Sequence, residues 1–61
     1  MTKRRMNILD RFGRKIGLEH RATIWLYDLA EEVPHTVKGD EKFERVADAL
    51  LDLVMLGMSE E

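Results

Sequence analysis

The sequence predicts an all-α protein: an antiparallel helical hairpin over residues 18–33 and 40–58, plus a short basic N-terminal helix within residues 1–17. Three observations carry that prediction. Apolar residues recur at three- and four-residue spacing in three successive segments. Gly17, Pro34 and Gly39, strong breakers of regular structure, fall between those segments. The composition, 44% hydrophobic and 36% charged with a single proline, is that of a chain that folds.

The first segment runs over residues 3–16. Met6, Leu9, Phe12 and Ile16 share one face, and Arg4, Arg11, Arg14 and Lys15 fall opposite, with Lys3 beside them. Gly13 interrupts it at a cost of about 1 kcal/mol relative to alanine. Gly17 suits the left-handed conformation that ends many helices, and the N-terminal end is expected to fray.

The second segment, residues 18–32, carries a stripe of Leu18, Ala22, Trp25, Leu26, Leu29 and Val33. Pro34 stops it, because the residue before a proline is pushed out of the helical region. Ile24 and Tyr27 lie off the stripe, and a helix with a second apolar patch packs on both sides. Trp25 is expected to anchor the core near an edge, where its indole N–H finds an acceptor.

Residues 34–39 read as a loop, with Asp40 as the N-cap of the third segment and Glu41 in its first turn. That segment, residues 41–58, has a predicted buried face of Phe43, Val46, Ala47, Leu50, Leu53, Val54 and Gly57. Glu41, Glu44, Asp48 and Asp52 form an acidic stripe nearly opposite. Leu51, Met55, Leu56 and Met58 fall outside the first face. The last two turns are therefore apolar almost all round, which points to a neighbouring chain.

A chain of 61 residues forms one domain, 1–61, and buries only about 60% of the surface its unfolded form exposes. Without cysteine it has neither disulfides nor cysteine-ligated zinc to help. Self-association is the expected remedy, with Trp25, Leu29, Phe43, Val46, Leu50, Leu53 and Val54 as the dimer core. A monomeric three-helix bundle is the alternative. The chain has no apolar run long enough to span a bilayer and no signal-peptide pattern, so a cytoplasmic location is expected.

Catalysis is not expected. There is no cysteine, the only serine is Ser59, and no nucleophile turn surrounds Thr2, Thr23 or Thr36. Glu32 and His35 have the Glu-x-x-His spacing of di-metal bundles, but Pro34 between them breaks the helix such a site needs. Glu19 and His20 are adjacent and diverge. The glycines are too dispersed for a phosphate loop. No metal and no cofactor is predicted.

Charge is distributed unevenly. Residues 1–15 carry +5 and residues 16–61 carry −7. Lys3, Arg4, Arg11, Arg14 and Lys15 could follow a phosphate backbone, yet their face lacks stacking aromatics and base-reading amides apart from Asn7 at its margin. The acidic stripe offers them an internal partner instead, and an anionic membrane is disfavoured. The third segment is acidic and its connection too long for a helix-turn-helix reader. The sequence thus points to a non-catalytic homodimeric adaptor or inhibitor that binds a larger protein through Ile24, Tyr27, Glu41, Glu44, Asp48 and Asp52. The alternative is a nucleic-acid-binding accessory protein that uses the five cations of the first helix.

Overall fold

A computed structural model describes residues 1–59 of the chain; residues 60–61 of the predicted domain lie outside it. Its described residues form three helices, α1 (Lys3–Ile16), α2 (Arg21–Glu32) and α3 (Val37–Ser59), with no strand among them. Each helix packs against the other two.

α1 has the predicted bounds, and its start is capped. The Thr2 hydroxyl accepts a hydrogen bond from the backbone N–H of Arg5 at 3.2 Å, satisfying one of the donors that a helix start leaves open. Gly17 ends the helix at φ +99°, a conformation that a side chain would strain, and its N–H bonds to the carbonyl of Gly13.

α2 starts three residues later than predicted. The His20 side chain takes the N-cap position, its Nδ1 accepting from the N–H of Ala22, so Leu18 falls in the turn and is exposed. The Thr23 hydroxyl donates back to the Gly17 carbonyl at 2.8 Å and fixes that turn. α3 starts earlier than predicted because Thr36, not Asp40, is its cap: the Thr36 Oγ1 accepts from the N–H of Gly39. Asp40 therefore sits inside the first turn, where it is buried.

The core consists of Ile8, Leu9 and Phe12 from α1, Leu26 and Ala30 from α2, and Phe43 and Ala47 from α3. Ile16, Ala22, Leu29, Leu50 and Leu51 pack around it. Five residues need reassigning. Met6, assigned to the apolar face of α1, is 58% exposed, and Arg5 takes its place inside. Trp25 does not anchor the core of the chain but stands 49% exposed, because Leu26 and Ala30 fill the centre of the α2 face. Leu53 is 66% exposed and Gly57 is exposed, whereas Leu51, set outside the first face, packs inward.

The helices run up, down and up. Gly13, Leu18 and Thr23 meet at one end of the α1–α2 pair, and Arg5 meets Ala30, Val33 and Pro34 at the other. α3 then runs alongside α1 in the same direction, as the Arg5–Asp40 and Arg11–Asp48 pairs show. With Asp40 level with Arg5, α1 runs out near residue 51 of α3. The last two turns of α3 continue roughly 12 Å further without α1 beside them. The long dimension, 39 Å against 18 and 16 Å, reflects that extension.

Candidate functional site

Arg5 is wholly buried, and its environment explains why. It precedes Leu9 by four residues, Phe12 by seven and Ile16 by eleven, so the register of α1 carries it into the core. Its Nε donates to Asp40 Oδ1 at 2.5 Å, and Nη1 donates to the carbonyls of Ala30 at 2.6 Å and Val33 at 2.8 Å. Nη2 donates to the carbonyl of Pro34. The guanidinium carbon lies 5.7 Å from the centroid of the Phe43 ring.

This geometry joins three helix ends. The carbonyls of Ala30, Val33 and Pro34 include groups that the C-terminus of α2 leaves unbonded, and a cation is favoured there. Asp40 occupies the first turn of α3, where an anion is favoured. Thr2 adds a hydrogen bond from its hydroxyl to Asp40 Oδ1 at 3.2 Å. Among the described residues no buried side-chain polar atom lacks a partner. The arginine's donors are aimed at protein oxygens, which makes the cluster a structural clamp rather than an anion receptor.

The sequence reading passed over Arg5 by starting the apolar stripe at Met6. Counting back four from Leu9 gives Arg5, and that spacing was the available signal. A second omission is on α3. Lys38, Lys42 and Arg45 recur at i, i+4 and i+7 and line one shallow cleft with Glu41, so the outer face of α3 is basic in its first half.

The five predicted cations of α1 are exposed, and three of them have carboxylates at hand. Arg4 Nη2 lies 2.5 Å from Glu44, Arg11 lies 3.9 Å from Asp48, and Arg14 lies 3.2 Å from Asp10 one turn back. The hydrogen bond that Arg4 donates to Glu44 raises the Arg4 pKa further above its ordinary value. Lys3 and Lys15 have no carboxylate within 4 Å among the described residues. Glu44 and Asp48 thus face cations of α1, while Glu41 and Asp52 of the same stripe have no ion pair among the described residues.

Ile24 and Tyr27 are exposed, at 54% and 41%. Tyr27 lines a cleft of about 560 Å³ together with Met1, Met6, Asn7, Leu9 and Asp10 of the α1 side. Arg4 and Arg11 stand on the opposite flank of α1, facing α3. The structure therefore does not bring the predicted anchors and the acidic stripe onto one surface. Of the predicted dimer core, Phe43 is buried within the chain, and Leu29, Val46, Leu50 and Val54 are half-buried. Trp25 and Leu53 face outward.

No group of three His, Asp or Glu side chains among the described residues is placed to hold a metal ion, and no helix among them is long and apolar enough to cross a membrane. Comparison of the chain with protein-family models, curated proteins and solved structures finds no match.

Proposed function

We propose that this three-helix protein is a non-catalytic homodimer, the hairpin of α2 and α3 forming the dimerising unit, and that it acts as an adaptor or inhibitor by binding a larger protein stoichiometrically. One observation carries the reading. Among the described residues more large hydrophobic side chains are exposed than form the core, and most of them gather in two places. One is the α1–α2 cleft of Met1, Met6 and Tyr27, with Ile24 one turn away. The other is α3 beyond residue 50, where Leu53, Leu56 and Met58 are exposed. Scattered apolar residues on a surface are ordinary, but gathered ones mark contact surfaces.

The two places suit two roles. The cleft has aromatic and methionine side chains, which adapt to varied apolar partners, with Asp10 and Asn7 to orient them. The α3 surface suits self-association. The nucleic-acid alternative draws support from Lys3 and Lys15 and from the Lys38, Lys42 and Arg45 group, but Arg4, Arg11 and Arg14 are already matched by carboxylates.

The test is site-specific photo-crosslinking from position 27 in cells that make the full chain, with Ile24→Lys as the control. A discrete adduct with a larger protein, lost with Ile24→Lys, is the expected result. Only self-adducts, or none, would remove the adaptor reading.

A further inference from the structure

We infer that α3 pairs with α3 of a second copy in antiparallel orientation, through a seam of Val46, Ala49, Leu53 and Leu56. The inference rests on the homodimer reading above and names its geometry.

These four residues follow one another at spacings of three, four and three, the repeat that keeps a helix seam facing a partner helix. The tertiary structure turns the seam outward. Phe43 and Ala47 point into the core of the chain, whereas Ala49 is exposed and Leu53 and Leu56 are 66% and 61% exposed. Val46, half-buried, joins the seam to the bundle. Trp25 of α2 is likewise 49% exposed.

Antiparallel pairing has a register in which small residues meet large ones. Val46 lies opposite Leu56 of the second copy, and Ala49 lies opposite its Leu53. The two-fold axis repeats both layers, giving four in all, as an isologous interface requires. Alternating small and large side chains lets the helices approach closely and fill the interface.

Charge selects the same orientation. Preceding the seam, Lys38, Lys42 and Arg45 form a basic group with no ion pair to any described residue. The last turn of α3 has no basic residue to complement its carbonyl end, and Glu60 and Glu61 follow it in sequence. The antiparallel register brings Lys42 of one copy to that end of the other. A parallel pair would set Lys42 against Lys42 and leave both carbonyl ends unmatched. The extension of α3 beyond α1 then has a covering element, the first half of the seam of its mate.

The chain has no cysteine, so single cysteines report the geometry cleanly. Val46→Cys alone and Leu56→Cys alone should each give no disulfide dimer, because identical positions lie about ten residues apart along the axis, roughly 15 Å, beyond the roughly 7 Å that a disulfide spans. An equimolar mixture of the two should cross-link across copies. Sedimentation of the unaltered chain should show twice the monomer mass of 7.1 kDa at high concentration, and Leu53→Asp should return it to one chain mass with helicity retained. Self-linking of Val46→Cys and of Leu56→Cys would mean a parallel pair and overturn the inference. A dimeric mass without the mixed cross-link would overturn the seam but leave the homodimer. A single-chain mass at every concentration would overturn both, while leaving photo-crosslinking to judge binding of a larger protein.

Discussion

The guanidinium of Arg5 lies 2.5 Å from the carboxylate of Asp40, thirty-five residues further along the chain, and both are buried. That contact, with the three carbonyls from the end of α2, fixes where α3 begins relative to α1. The level of Asp40 beside Arg5 in turn decides how far α3 runs past the bundle, and so how much of its apolar surface is left for a partner.

Removing the arginine should be the most damaging single change. Arg5→Met strands Asp40 in a buried site and leaves the carbonyls of Ala30, Val33 and Pro34 without their donor. Breaking a buried pair in this way costs about 3–5 kcal/mol, comparable with the whole stability expected of a chain this size, about 0.05–0.15 kcal/mol per residue. Arg5→Lys should rescue little, since one ammonium cannot reproduce the planar fork. Pairing Arg5→Met with Asp40→Leu should recover part of the loss. Urea denaturation followed by circular dichroism compares the three, and a double variant no better than Arg5→Met would show that the ion pair is not the source of the effect.

Two glycines of α3 should respond with opposite sign. A Cβ at Gly39 would sit 1.9 Å from the Pro34 carbonyl oxygen, so Gly39→Ala must push the start of α3 away from the preceding turn. Overpacking of this kind costs about 1–3 kcal/mol. A Cβ at Gly57 meets nothing within 4 Å. Gly57→Ala should gain up to about 1 kcal/mol through helix propensity. The melting temperatures of the two variants should therefore move apart, and equal shifts would contradict the close approach at Gly39.

Thr2 is a cap with a second duty. Thr2→Ala removes the acceptor for the Arg5 N–H and the donor to Asp40 Oδ1. A loss of about 1 kcal/mol is expected from the cap, whereas Thr2→Ser, which keeps both hydrogen bonds, should be close to neutral. Amide hydrogen exchange in the first turn of α1 would localise the effect; no change there would argue against capping.

Nucleic-acid binding should be weak. With Arg4, Arg11 and Arg14 matched by carboxylates, the first helix offers only Lys3 and Lys15 to phosphates without competition. Fluorescence anisotropy of labelled DNA and RNA at about 50 and 200 mM salt measures it. Binding that weakens by orders of magnitude between those salts is what several phosphate contacts give, and it would favour the alternative reading. Arg11→Glu with Arg14→Glu should then abolish it.

Trp25 reports on its own surroundings. At 49% exposure it should be quenched readily by acrylamide in dilute solution. Where the second copy covers this flank of α2, its emission should shift to shorter wavelength as concentration rises. A spectrum that is concentration-independent while the mass doubles would place Trp25 away from the interface.

By itself the sequence determined the three helices, the end of α1 at Gly17, the stop near Pro34 and the outward position of the cations at Lys3, Arg4, Arg11, Arg14 and Lys15. These follow from local rules: spacing along one helix, the φ that glycine tolerates and the bond that proline lacks. The inward-facing residues were legible where the stripe was unambiguous, as at Leu9, Phe12, Leu26, Phe43 and Ala47. Only the tertiary structure decided that Arg5 is inside and Met6 outside, that Trp25 is half exposed instead of anchoring the core, and that the acidic stripe and the Ile24–Tyr27 pair face different ways. A charged residue on an apolar face can be buried only if its partners are delivered to it. The oxygens that receive Arg5 come from residues 25 to 35 positions away, brought together by two turns whose geometry no single-helix periodicity contains.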